Sequence, residues 1–431
     1  MRVVVIGSGI VGAGAAYHLS RRGAAVTVVD GGYPGEATQA GAGIVCPWVD
    51  HPEDDDWYRL TREGARHYPG LVEELGEDIG YAKVGALLVA EDPVDLEPVR
   101  ALLRRRYAGA PEMGEVVDVA TPAELFPPLS DTLSALLVPG AARVDGRSVR
   151  DALLAAAVAR GAEVRTGTAT LTQDGHVLLH PADHPETSAP APPPPAPATS
   201  GTPLPALSGT APSGTTPAGT GSSTTVPAGE ASWRQAAPLH PDAPAMPGVQ
   251  QEPMGEGVPL DADAVIVAAG AWTGEVCRPL GVELPVFPRR GQILHATLEG
   301  VDTAWWPIIL PRMGPYLLGF PDSRVVVGAT VEDVGFAPRV TVGGLDEVIE
   351  AGLRVAPGLA SATVSETRVG LRPVYAPGSA LIGPVTDRVV VATGLSAYGL
   401  TAGPFTGELA AALALGERPP IDLTPYRPPT G

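Results

Sequence analysis

Residues 2–30 open with a short β-branched run, Arg2 to Ile6. Apolar positions then recur at helical spacing from Ile10 to Arg22 (Val11, Ala15, His18, Leu19), and Val26 to Val29 forms a second apolar run. Short aliphatic runs read as buried strands and the three-to-four-residue spacing as a helix, so this segment predicts strand, helix, strand. From about Asp50 to Pro139, charged helical stretches such as Trp57 to Leu75 alternate with a strand pair around Tyr81 to Ala90. Residues 147–160 predict an amphipathic helix ended by Gly161, with a strand near Glu163 to Thr170. After residue 263 the pattern predicts a buried strand in AVIVAAGAWTG, a strand over Gln292 to Leu298, a strand over Arg324 to Thr330 and a helix over Leu345 to Arg354. It ends in a strand over Arg388 to Ala392, a glycine-rich turn, and a helix from about Pro404 to Leu415, with Pro404 read as a first-turn residue. Helices interleaved with β-branched strands predict an α/β architecture.

One stretch carries no such pattern. Residues 181–259 hold 19 of the 48 prolines, no charged residue lies between Thr187 and Gly229, and Trp233 is the only aromatic. Such a segment buries too little apolar surface to offset the entropy of ordering it. It predicts a disordered Pro/Ser/Thr-rich insert with polyproline character at Pro192 to Pro195. A docking peptide for a partner is the functional alternative, but no basic residues flank these prolines.

Composition narrows the function. With 53 glycines and 48 prolines among 431 residues, the chain is unusually rich in both, yet 44% of it is hydrophobic and its mean hydropathy is +0.12. A wholly disordered chain is thereby excluded. A net charge of −19 argues against nucleic acid and against docking on an anionic membrane, both of which call for a cationic face. Cys46 and Cys277 stand in no metal-ligand or disulfide-framework spacing, and no histidine–carboxylate spacing suggests a metal. The only lysine is Lys83, so Schiff-base chemistry would rest on that one residue. No apolar run approaches the ~20 residues of a membrane span. The first residues look like a fold rather than a leader, which makes the cytoplasm the expected location.

Gly7-Ser8-Gly9-Ile10-Val11-Gly12 is a GxGxxG between a predicted strand and a predicted helix, and Asp30 closes the next strand. Gly7 permits the tight turn, Gly9 lets a pyrophosphate approach the backbone, and Gly12 lets helix and strand pack. The helix N-terminus then faces the phosphates, and Asp30 can accept from an adenosine ribose. This motif does not separate FAD from NAD. Small residues from Gly35 to Ile44, with Thr38 offering a hydroxyl, would let an extended cofactor pack against backbone. Gly394, Gly399 and Gly403 let backbone run beside a planar ring, and a helix N-terminus there favours negative charge on that ring.

In these segments the chain resembles the FAD-dependent amino-acid and amine oxidoreductases grouped around D-amino-acid oxidase, glycine oxidase and D-amino-acid dehydrogenase. The resemblance runs, in order, through GSGIVGAGAAYHL, ATQAGAG, DAVIVAAGAWT, PRRGQ, VVVGATVEDVG, RVGLRP, ALIGPV and ATGLSAYGLTAGPFTGELAA. It implies non-covalent FAD touched by Gly7, Gly9, Ile10, Val11, Gly12, Asp30, Thr38, Gln39, Gly43, Gly270, Gly370, Gly394, Leu395, Ser396, Ala397, Tyr398, Gly399, Leu400 and Thr401. It also implies that Arg372 of RVGLRP holds a substrate carboxylate with help from Tyr316. Arginine's planar fork suits that task. Glycine oxidase has a second arginine where this chain has Ala397, and Tyr398 or Arg290 is the candidate replacement.

The fold implied is a glutathione-reductase-like, FAD-binding Rossmann domain (1–50, 140–180, 260–275 and 365–431) with an α+β substrate domain built on an antiparallel sheet (51–139 and 276–364). The activity implied is oxidation of the Cα–N bond of a D-amino acid, glycine or N-alkyl amino acid, with a small-molecule amino acid or amine as substrate and oxygen or another electron acceptor as partner. Whether the chain forms a homo-oligomer is open. The alternatives are a related flavoenzyme oxidising a 2-hydroxy acid, a NAD-dependent dehydrogenase, and an inactive flavin-binding scaffold recruited through the proline-rich insert.

Overall fold

The computed structural model describes residues 1–181, 257–312 and 314–429. The insert expected over 181–259 therefore lies outside the described residues from 182 to 256. Its two flanks are strands: Val177–Pro181 pairs antiparallel with Val258–Leu260, so Pro181, Val258 and Pro259 belong to the ladder rather than to the insert.

The opening strand–helix–strand forms as the pattern predicts, with Arg2–Ile6, Ile10–Arg21 and Ala25–Asp30. These strands sit inside an eight-stranded sheet. Its spatial order is Val258–Leu260, Val177–Pro181, Glu163–Leu171, Ala25–Asp30, Arg2–Ile6, Ala264–Val267, Val389–Thr393 and Leu381–Pro384. The run from Glu163–Leu171 to Val389–Thr393 is parallel throughout. Parallel strands buried on both faces read as continuous aliphatic runs, and this explains why VVVI, AVIV and VVVAT show no alternation. One face is covered by helices Ile10–Arg21, Gly146–Val158 and Gly399–Ala414, whose Leu19, Val149, Leu153 and Leu409 meet Val3, Val5 and Ile266.

A second eight-stranded sheet runs in the order Thr363–Tyr375, Val286–Thr297, Arg324–Gly328, Tyr316–Gly319, Ile308–Pro311, Ala86–Ala90, Ser134–Val138 and Val117–Val119. All its pairings are antiparallel except that of Ile308–Pro311 with Ala86–Ala90. The period of two shows directly here: Ala86 and Leu88 enter one core, and Leu87 and Val89 the other.

Several expectations are corrected. The strands expected as a pair near Tyr81 to Ala90 do not pair with each other. Ala82–Lys83 joins Ala142–Arg143 in a small three-stranded sheet, while Ala86–Ala90 enters the large one. Residues 365–375, grouped with the cofactor half from sequence, form most of the edge strand of the second sheet. The strand expected from Gln292 begins at Val286, so PRRGQ is itself extended.

The last helix starts at Gly399 rather than near Pro404, which sits inside it. A proline there has no N–H to donate to the carbonyl of Leu400 one turn earlier. The hydroxyl of buried Tyr68, on helix Asp55–Leu75, donates to that carbonyl instead. The helix is apolar nearly all round and almost wholly buried, which makes its stability a matter of packing rather than propensity.

Candidate active site

A cavity of about 1650 Å³ runs from the GxGxxG turn to the second sheet. Pockets for drug-sized ligands take roughly 300–1,000 Å³, so this one holds an extended dinucleotide and leaves room beside it.

At its first end the turn is shaped by close approach. A Cβ on Gly12 would collide with the carbonyl oxygen of Gly7, and one on Gly7 with the backbone of Ala268. Gly9 precedes the first helix, which has neither a side-chain cap nor an acidic residue in its first turn. The amide of Ile10 donates to the Thr38 hydroxyl at 2.9 Å, leaving the hydroxyl proton for another acceptor. A helix start with small residues and no carboxylate suits a phosphate group. Asp30 accepts from the amide of Ser8 at 2.7 Å and from that of Gly32 at 2.8 Å. Its carboxylate thus shapes the turn as well as lining the cavity. Arg150 braces the same turn, donating to the Ser8 carbonyl at 3.0 Å and hydroxyl at 2.6 Å. Glu36 also lines this end, and its carboxyl is pushed up from the ordinary range by burial and by Asp30.

At the other end the wall is side chains on the second sheet. Arg372 lines the cavity, and its Nη1 donates to the carbonyls of Arg290 at 3.2 Å and Thr330 at 3.1 Å. Among the described residues it makes no ion pair with a carboxylate. Burial pulls its pKa below the ordinary arginine range, Tyr316 opposes that shift, and Arg289 reinforces it. Tyr316 lines the same wall, and burial pushes its phenol up. The guanidinium lies over Gly291, where any Cβ would occupy its space. Opposite, the loop Gly394 to Leu400 lines the cavity and leads into the helix that starts at Gly399. Ser396 in this loop has φ 49°, a left-handed conformation that a non-glycine residue adopts only when its surroundings impose it. Tyr398 is fixed by donating to Asp50 at 2.9 Å and by edge-on packing against Trp57, with ring centroids 4.5 Å apart.

Of the residues singled out from sequence, Gly7, Gly9, Ile10, Val11, Asp30, Thr38, Gly43, Gly270, Gly370, Gly394, Leu395, Ser396, Ala397, Tyr398, Gly399 and Leu400 line the cavity, as do Arg372 and Tyr316. Gly12, Gln39 and Thr401 are placed otherwise. Gly12 packs under the turn, Gln39 borders a separate groove beside Arg147 and Glu366, and Thr401 donates to the carbonyl of Ile44 at 2.9 Å.

Arg290 does not stand in for a second substrate arginine. It is buried, pairs with Glu332, donates to the Ala337 carbonyl at 3.0 Å, and lies on the face of its strand away from the cavity. Arg289 faces the cavity instead, held at 2.7 and 3.0 Å by Asp333. Arg289 and Arg372 are directly opposite in the ladder. Sequence reading missed Arg289, Arg150, Trp57 and the cavity-lining aromatic row of Tyr33, Trp272 and Phe336. For Arg289 the alternation along PRRGQ is the signal, once the strand's facing is known. Cys46 and Cys277 are buried, and neither lines the cavity.

A parallel sheet with a glycine turn at a helix start, opening onto an antiparallel sheet whose cavity-lining arginine has no ion-pair partner among the described residues, defines a two-part dinucleotide enzyme. The model of the FAD dependent oxidoreductase family matches residues 2–187 and 239–413, and the chain belongs to that family. It is an FAD-dependent oxidoreductase, with FAD as its cofactor. The uncharacterized oxidoreductase YurR of Bacillus subtilis (strain 168) is 36% identical over 99% of this chain and 98% of its own. The crystal structure of iminodiacetate oxidase (IdaA) from Chelativorans sp. BNC1 superposes with a TM-score of 0.80 at 39% identity, covering 99% of each chain. That of glycine oxidase from Geobacillus kaustophilus shares the fold, with a TM-score of 0.72 at 21% identity over 100% of this chain and 99% of that one. Among the described residues no helix is long and apolar enough to cross a membrane.

Proposed function

We propose that this enzyme oxidises the Cα–N bond of a carboxylate-bearing amine, a glycine or an N-substituted amino acid, to an imine that water hydrolyses to an oxo-acid and an amine. The observation that carries this reading is Arg372: a guanidinium facing the cavity, anchored by two carbonyls through one nitrogen, and without a carboxylate partner among the described residues. A cation so placed is costly to leave uncompensated, and a substrate carboxylate supplies the compensation in bidentate form. Iminodiacetate and glycine, named for two of the relatives, share the N–CH2–COO⁻ unit, which makes an N-substituted glycine the first substrate to test.

FAD, when bound, supplies the two-electron acceptor. Gly7, Gly9, Thr38 and Asp30 would hold its dinucleotide part, and Gly394 to Leu400 would lie along its ring. Arg372 grips the carboxylate, and Tyr316 stands beside it. Trp57, Tyr398 and Ile293 line the cavity as well and would limit water around the reacting carbon. An amine entering neutral needs no proton-accepting side chain, so the rate comes chiefly from alignment.

The test is anaerobic mixing with iminodiacetate, sarcosine, glycine, proline, D-amino acids and a 2-hydroxy acid while flavin absorbance is followed. Bleaching by one or more amines supports the reading, and bleaching by the hydroxy acid alone overturns it. Peroxide formed in air then separates oxygen from another electron acceptor.

A further inference from the structure

Outside the cavity lining, three helices bring together residues that sequence spacing does not connect. His18 is in the last turn of helix Ile10–Arg21, His67 lies in helix Asp55–Leu75, and Glu408 is in helix Gly399–Ala414. One ring nitrogen of each histidine and a carboxylate oxygen of Glu408 all lie within 4.8 Å of one another.

The environment is unusual for imidazoles. His18 is 4% exposed, and the Nε2 atoms of both His18 and His67 are buried with no hydrogen-bond partner among the described residues. Buried polar atoms are nearly always satisfied, and an orphan of this kind is destabilising unless something binds it. Neither ring can serve the reaction, because neither lines the cavity. Glu408 divides its two oxygens: Oε1 accepts from Arg22 at 3.1 Å, and Oε2 stands 3.6 Å from Nδ1 of His67.

We infer that His18, His67 and Glu408 form a structural site for a divalent transition metal, with zinc as the ion their chemistry fits. Two imidazoles and one carboxylate are a borderline ligand set suited to Zn²⁺. Tetrahedral zinc places its ligand atoms about 3.4 Å apart, given bonds of about 2.0–2.2 Å; here His67 Nδ1 and Glu408 Oε2 are 3.6 Å apart and the whole set lies within 4.8 Å. The C-terminal turn of the first helix, where His18 lies, carries the negative end of the helix dipole and favours a cation. Arg22 stays on the far oxygen of Glu408 and leaves Oε2 to the metal. A water completes the fourth position from the side where His67 and Glu408 are part-exposed, at 17% and 23%. The ion would staple the last turn of helix Ile10–Arg21 to the middles of helices Asp55–Leu75 and Gly399–Ala414.

The test uses untagged, FAD-loaded enzyme, stripped with chelator, dialysed and titrated with ZnCl2. The expected result is one saturable zinc per chain, with affinity reduced about tenfold or more in both His67→Ala and Glu408→Gln. The flavin spectrum reports that each variant is folded, and Glu408→Gln keeps the test alive if His67→Ala does not fold. Absence of saturable binding in the wild type overturns the site, as does binding unchanged in the variants. Loss in only one of two folded variants overturns the three-ligand assignment.

Discussion

The two ends of the cavity are built on different principles. The dinucleotide end consists of backbone drawn from a continuous local motif, with Gly7, Gly9 and Gly12 in one turn and Asp30 closing the neighbouring strand. The end proposed for the substrate is made of side chains that meet only through strand pairing: Arg372 opposite Arg289 across a ladder, Tyr316 opposite Gly328, and the guanidinium over Gly291. The first end fails by backbone collision, and the second by displacement of one side chain. Substitutions should therefore separate cofactor loss from substrate loss.

The largest effect is expected at the first end. Gly12→Ala drives a methyl into the Gly7 carbonyl, and a turn that must shift loses its phosphate cradle. The variant should purify with little or no flavin and melt lower than the wild type, as absorbance and a thermal scan will show.

Gly291→Ala sharpens the contrast. Its methyl takes the space of the Arg372 guanidinium while leaving the dinucleotide end untouched. FAD content should stay at wild-type level while kcat/KM falls about 100-fold, the cost of a misplacement near 1 Å.

Tyr68→Phe touches neither end directly and probes the helix that follows the cavity-lining Gly394–Leu400 loop. It leaves the Leu400 carbonyl, one turn before Pro404, buried without a donor, and should cost about 1–3 kcal/mol in chemical denaturation.

The smallest effect concerns acid. Burial raises the carboxyl of Glu332, but bonds from Arg290, Thr330 and Gln292 outweigh it; at Glu366 bonds from Arg368 and Arg147 likewise outweigh burial, and both carboxyls are lowered from 4.5 to about 2. A depressed folded pKa gives stability that is present above the unfolded value and lost as pH falls through the folded one. Stability should therefore decline between about pH 4.5 and 2, and the slope in that window should flatten in Glu332→Gln.

The same contrast explains what could be read from the chain alone. The first strand–helix–strand and its glycine turn are local, so their pattern is explicit in the order of residues. The facing of PRRGQ is not, because shifting a strand by one residue moves every side chain to the other face. Of the two arginines, it is Arg289 that lines the cavity, while Arg290 turns to Glu332. Pro404 marks a first turn by local rules, but a donor from Tyr68, hundreds of residues away, lets the helix begin at Gly399 instead. His18, His67 and Glu408 meet only through the packing of three helices, and no spacing along the chain announces them.

The most direct test of the account is the rate of anaerobic flavin bleaching in Arg372→Met against wild type, with a carboxylate-bearing amine that the wild type oxidises. The variant should keep its flavin spectrum and lose about 100- to 1,000-fold in second-order rate, in line with a lost bidentate charge contact of about 3–4 kcal/mol. An unchanged bleaching rate in a flavin-loaded variant would contradict the assignment of Arg372 to the substrate carboxylate.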